Sequence, residues 1–234
     1  MKRVIIIFLF FSALGFSQSK KPDVIIKNLK NAFSKVKDYK ANVNIKVDVN
    51  VIKVPEMKAK LYFKAPDKIH IESEGFAMLP RKGLYTSPLS FLNGDYTSIY
   101  VKEDTVGKYI TSEIKIIPLN DKGDLLLTTL WIDQSKNVIR KVESSTKTNG
   151  TFSLLLYYNT NIKYPLADSM VFSFNAGKLN TPSMMGEEEN RGRRRRALKD
   201  ISGKVFIHYF NYEVNTGIPD SVFEENNKSK PKRH

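Results

Sequence analysis

The side chains that could do chemistry are few and scattered. His70, His208 and His234 stand far apart, without the short spacing that metal ligands or an H-E-x-x-H helix require. His70 lies between Ile69 and Ile71, so on a strand it points away from whatever those two bury. Glu72 and Glu74 would share one strand face. Two carboxylates so placed could exchange a proton, but such a pair more often forms the wet side of a strand. No G-x-S-x-G elbow or phosphate-binding glycine loop occurs. Cysteine is absent, which removes thiol catalysis and thiolate metal sites. The residues therefore predict no catalytic group, no metal site, no cofactor and no enzyme. One dense charge cluster stands out, Arg191 with Arg193, Arg194, Arg195 and Arg196, a chemistry suited to anionic lipid headgroups.

The elements that must position any site are mostly strands. Pro22 to Val36 has apolar residues at Ile26, Leu29, Phe33 and Val36 with lysines between them, the three- and four-residue steps of an amphipathic helix. After Asp38 the period becomes two. Val43, Ile45, Val47, Val49 and Val51 alternate with Asn42, Asn44, Lys46, Asp48 and Asn50, which predicts a strand with one apolar face. Further strands are expected at 57–64, 68–74, 96–103, 108–118, 124–133, 138–145, 151–158, 169–175 and 203–214. Ala65-Pro66-Asp67, Lys122-Gly123 and Asn149-Gly150 supply turn chemistry between them, so neighbours run antiparallel. The fold class is mainly β (α+β): about ten antiparallel strands in one strongly curved sheet, with helix on one side.

Two segments interrupt this meander. Residues 75–94 contain Phe76, Met78, Leu79, Leu84, Tyr85, Leu89, Phe91 and Leu92, too apolar for a solvent-washed loop, and are expected to fold back over the sheet or form a short helix. Residues 178–199 hold the arginine cluster beside Glu187 to Glu189 and read as a mobile charged insertion.

The start of the chain reads as a secretory leader. Lys2 and Arg3 precede an apolar run from Val4 to Phe11, with small residues at Gly15 and Ser17, so cleavage is expected before Gln18. Residues 18–225 suit one domain, and 226–234 a disordered basic tail. The formal net charge is +14, of which Lys2 and Arg3 supply two. Export makes nucleic acid an improbable partner for the rest, and a soluble periplasmic monomer is expected.

The order of parts resembles a known family. The helix ends in Val36-Lys37-Asp38-Tyr39 and enters a long strand. Lys60-Leu61-Tyr62-Phe63-Lys64-Ala65-Pro66-Asp67-Lys68 follows as strand, Pro turn and strand. Leu130-Trp131-Ile132-Asp133 and Val138-Ile139-Arg140-Lys141-Val142 form a hairpin, and Asn211 to Asn215 precede Ile218-Pro219-Asp220-Ser221-Val222-Phe223. From about Val24 to Phe223 this is similar to the outer-membrane lipoprotein carrier protein (LolA) family. The resemblance implies an unclosed half-barrel with a helical lid, whose cavity takes the acyl chains of a lipoprotein, with inner-membrane donor and outer-membrane acceptor proteins as partners. Val43, Ile45, Val47, Val49, Leu61, Phe63, Ile69, Ile71 and Trp131 are the candidate lining. The lid is expected from Ile26, Leu29, Phe33, Phe76, Leu79, Leu84, Phe91 and Leu92. Two departures stand against the pattern: the insertion 178–199, and no position evident in sequence for a buried arginine that latches the lid. The alternative function is an envelope sensor on the same fold, binding lipid or misfolded protein and signalling to a protein partner.

Overall fold

The structure, a computed structural model, describes residues 21–49, 52–73, 88–120, 124–147, 150–158, 163–176 and 201–224. The leader, the lid candidates Phe76, Leu79 and Leu84, the arginine cluster and the tail lie outside the described residues.

Helix α1 spans Pro22–Phe33, with Pro in its first turn and Asp23 beside its N-terminus, where a fixed φ and a negative charge both suit the free N–H groups. It ends three residues earlier than its apolar spacing predicts. Ser34 N–H closes on Lys30 O, Val36 N–H on Phe33 O, and a tight turn takes over. Ile25, Ile26 and Leu29 are buried beneath it.

The strands are β1 (Asp38–Val49), β2 (Ile52–Lys53), β3 (Met57–Lys64), β4 (Lys68–Glu72), β5 (Tyr96–Val106), β6 (Tyr109–Pro118), β7 (Leu125–Asp133), β8 (Val138–Thr146), β9 (Thr151–Tyr157), β10 (Ser169–Ala176) and β11 (Ile201–Val214). A 3-10 helix covers Pro88–Leu92 and a short α2 covers Ser221–Glu224. The main path of the sheet runs β4-β3-β1-β11-β10-β9-β8-β7-β6-β5, with β2 attached to β1. Every pairing is antiparallel. β4 and β5 stand at opposite edges and do not meet, so the sheet is an unclosed half-barrel.

Alternation decides the faces. Val43, Ile45 and Val47 are buried while Asn44, Lys46 and Asp48 face out. In register they meet Ala59 on β3 and Tyr209, Ile207 and Val205 on β11. The same inner face continues through Met170, Leu154, Val142, Leu130 and Ile114, and α1 and Leu92 join it in one core.

Bulges interrupt the pleat in three of the ladders. Asn211 sits at φ 53° beside the register shift between Lys40 and Asn42, a left-handed conformation that asparagine tolerates. Arg140 is the extra residue between Trp131↔Lys141 and Ile132↔Ile139. The bulge lets it sink its guanidinium into the protein, 2 % exposed. Its Nε and Nη2 donate to Asp133 Oδ2 at 3.1 and 2.8 Å, and its Cζ lies 3.6 Å from the Tyr109 ring centre. Asp133 Oδ1 accepts from Ser135 N–H and Oγ–H. A buried arginine therefore exists, but its contacts tie β6, β7 and β8 together and not the helix.

The helix is tied elsewhere. Lys30 Nζ donates to Leu92 O and to Tyr96 Oη, each at 3.2 Å, and Ser98 Oγ–H donates to Asp23 at 2.8 Å. These bonds fasten α1 to the 3-10 helix and to the edge strand β5.

Removing one member of a buried ion pair leaves the other uncompensated. Arg140→Met is expected to cost about 3–5 kcal/mol in urea unfolding, and the double change with Asp133→Leu much less. Burial opposes the charge on Asp133, but Ser135, Arg140 and the Lys136 N–H outweigh it and hold the carboxyl below its ordinary value. A depressed folded pKa adds stability that is full above the unfolded value, about 3.9, and is lost as pH falls through the lower folded value. Acid titration of wild type against Asp133→Asn should show that loss only in the wild type. Lys30→Met should cost about 0.5–1.5 kcal/mol and speed hydrogen exchange of the α1 amides while leaving β7 and β8 protected.

Candidate functional site

Among the described residues, an apolar space lies between the cover and the sheet. A pocket of about 490 Å³ opens where the C-terminal end of α1, the β3–β4 hairpin and the 3-10 helix converge. Phe33 and Val36 come from α1 and its exit, Phe63 and Ile69 from the hairpin strands, Leu89 from the 3-10 helix and Leu166 from the β9–β10 connection. The hairpin turn is held against the helix exit by Ala65 N–H to Lys37 O at 2.8 Å. Lys30, Lys37, Asp67, Ser34, Ser90 and Asn93 stand among the same lining residues, so two lysines, one carboxylate and three neutral polar groups surround an apolar interior.

Its floor is aromatic. Tyr39 stacks on Phe63 with ring centres 5.1 Å apart and meets Tyr212 edge-on at 5.5 Å. Tyr212 Oη donates to Ala167 O at 2.6 Å. Burial pushes the Tyr39 phenol far above its ordinary value. Tyr212 is raised as well, by burial first and then by the phenols of Tyr39, Tyr209 and Tyr158 and the Asp168 carboxylate. Both rings stay neutral at any physiological pH. Such a surface offers hydrocarbon contact and no charge, and it suits an apolar chain with a polar head left at the lysines.

The sequence candidates divide into four groups. Phe33, Phe63 and Ile69 line the pocket. Val43, Ile45, Val47 and Leu61 face inward but are packed into the core, with Val49 and Ile71 half-buried against it. Ile26, Leu29 and Leu92 belong to that core too, while Phe91 lies 6.1 Å from the Phe152 ring. Leu92 is 2 % exposed there. Phe76, Leu79, Leu84 and the cluster Arg191, Arg193, Arg194, Arg195 and Arg196 fall outside the described residues.

Trp131 is a correction. In register it sits opposite Glu113 and Lys141, on the outer face. Its indole N–H donates to Asp104 Oδ2 at 3.0 Å, and Lys141 Nζ lies 4.2 Å from its ring centre. Leu130-Trp131-Ile132 is an unbroken apolar run, so alternation could not assign its parity; Leu130 and Ile132 take the inner face.

Val36, Tyr39, Leu89 and Leu166 were not named as site residues from sequence. Val36 and Leu89 carried a signal as apolar members of the two covering segments. Leu166 carried none, because it lies in a connection with no period to read.

His70 does point to the outer face, beside the Tyr62 ring at 5.8 Å. Among the described residues no group of three His, Asp or Glu side chains is placed to hold a metal ion. No helix there is long and apolar enough to cross a membrane.

No family model and no curated protein matches the sequence. Solved structures do. A LolA superfamily protein from Nitrosomonas europaea aligns over 89 % of this chain and all of its own, with TM-score 0.56 and 11 % identity. A DUF1329 family protein from Desulfovibrio piger aligns over 88 % and 96 %, with TM-score 0.57 and 12 % identity. A domain from Vibrio parahaemolyticus, named for outer membrane lipoprotein sorting, aligns over 87 % and 96 %, with TM-score 0.57 and 11 % identity. An open antiparallel half-barrel, an N-terminal helix across its inner face and these superpositions agree: the chain shares the fold of these three structures.

Proposed function

We propose that this protein is a periplasmic carrier that holds the acyl chains of a lipoprotein, or of a similar amphiphile, and moves them towards the outer membrane without catalysing a reaction. In this reading residues 1–17 are the cleaved leader, and the mature chain works between an inner-membrane donor and an outer-membrane acceptor. The observation that carries it is the apolar pocket of about 490 Å³ with a neutral aromatic floor. That volume falls within the range of roughly 300–1,000 Å³ usual for small-ligand sites.

The energetics suit transport better than storage. Each methylene moved from water into the pocket gains about 0.8 kcal/mol. A bilayer offers nearly the same gain, so exchange between pocket and membrane is close to balanced. A cover with two positions then sets direction with only a few kcal/mol. Among the described residues the ties that could serve this purpose are Lys30 to Leu92 and Tyr96, and Ser98 to Asp23.

The test is chemical. Protein purified from its own envelope should release acylated material on lipid extraction and show the adduct in native mass spectrometry. Ile69→Asp places a charge in the pocket wall at a half-buried position. It should abolish uptake of a fluorescent fatty acid while shifting the melting temperature by only a few degrees. Uptake equal to wild type in this variant would exclude the pocket as the acyl site.

A further inference from the structure

Lys30 belongs both to the pocket and to the ties of the cover. Its side chain lines the mouth, while Nζ donates to Leu92 O and to Tyr96 Oη, each at 3.2 Å. Nζ also stands 5.2 Å from the centre of the Tyr96 ring. Both acceptors are neutral, a peptide carbonyl and a phenol, and together they occupy two of the three N–H donors of an ammonium. Lys30 sits in the last turn of α1. Helix carbonyls carry partial negative charge there, and the ammonium reverses that sign at the rim.

The other charges of the rim divide unevenly. Asp67, the carboxylate among the lining residues, stands on the hairpin turn that Ala65 N–H fastens to Lys37 O at 2.8 Å. Lys37 and Asp67 thus share the hairpin side of the mouth and offset each other in sign. Lys30 reaches the opposite side, towards the 3-10 segment that supplies Leu92 O and the lining groups Ser90 and Asn93. That side brings together a cation, a hydroxyl and an amide, with no carboxylate among the lining residues. An ammonium held on neutral oxygens gains Coulomb energy when an anionic oxygen replaces one of them. Lys30 is exposed, so solvent screens that gain and keeps it modest.

We propose that the pocket selects amphiphiles with an anionic head, a carboxylate or a phosphate ester, and that Lys30 is shared between the guest and the cover. The chain enters the apolar interior while the head stays at the wet rim, where Lys30 leaves Leu92 O and Tyr96 Oη to hold it. The exchange removes two of the bonds that fasten α1 to the 3-10 helix and to β5, so an anionic guest loosens the cover as it binds. A guest of the same length with a neutral head leaves those bonds in place. This inference rests on the reading of the pocket as an acyl site and adds to it the sign of the head.

Dodecanoate and dodecanol carry the same chain, so their apolar gain cancels and the ratio of their affinities reports the head alone. Both are titrated below their micelle concentrations against the full mature chain, by displacement of N-phenylnaphthylamine. Wild type should bind dodecanoate about threefold to tenfold more tightly than dodecanol, the size of an exposed charge-assisted bond. Lys30→Gln should bring the ratio close to one, and Lys30→Arg should keep it. A general loosening of the cover would weaken both probes and leave the ratio where it was. Hydrogen exchange gives the second readout: dodecanoate should speed exchange of the α1 amides in wild type, and dodecanol should not. Acetate and inorganic phosphate, used as competitors, should fail to displace dodecanoate, and displacement by either would mean a site for free anions and overturn the proposal. Equal affinity for the two probes in wild type, a ratio untouched by Lys30→Gln, or α1 exchange that is the same with both probes would overturn it as well. Tight dodecanol binding without a preference sinks only this inference, whereas failure of both probes to bind wild type sinks the acyl-pocket reading with it.

Discussion

Everything in this molecule depends on covering one face of a sheet that does not close. Ten strands about 4.8 Å apart span roughly 45 Å, whereas the twelve residues of α1 reach about 18 Å. Curvature narrows the gap between the edges but does not remove it. One helix can fill only the middle of the hollow, where Leu29, Ile45 and Ile207 are almost wholly buried. The 3-10 helix takes a second portion through Leu92 and Phe91. What is left over is the pocket beside Phe33 and Phe63.

The stability of the frame and the ease of the cover come from different places. The Arg140–Asp133 pair and its ring of aromatic and hydroxyl neighbours lie among β6, β7 and β8. The cover rests on apolar contact and a few exposed hydrogen bonds. A sheet locked by buried charge and a lid held by weak ties can respond separately to the same ligand. Small openings then need not loosen the strands that define the pocket.

Much of the architecture was legible in the residues, for a physical reason. The period of two from Asn42 to Val49 and the three- and four-residue spacing in α1 follow from backbone geometry; the strand formed where that geometry put it, and the helix formed but stopped at Phe33, short of Val36. The edges were less legible: β1 begins at Asp38 and β5 runs on to Val106, because polar residues join a ladder once a neighbouring strand offers hydrogen bonds. Faces were readable only where apolar and polar residues alternate. Trp131, inside an apolar run, and Arg140, raised into a bulge, fell outside that rule. Alternation also says which side a residue takes and not how full that side is. Ile45 and Ile69 share one face, yet one is core and the other is pocket wall. Leu166 became a neighbour of Phe63 only through the fold, which sets the β9–β10 connection beside β3.

The pairing of β1 with β11 has a consequence for how the chain is made. The first and last long strands lie side by side in the interior of the sheet, with Ile45 against Ile207 and Val47 against Val205. The two halves of the sheet are joined only across this seam. Contacts so remote in sequence require the ends of a long loop to find each other, which makes the step slow. Until the last strand has emerged, β1 lacks one of its two neighbours and the inner face cannot finish. A chain wired in this way leaves its sheet incomplete until the last strand has joined the first.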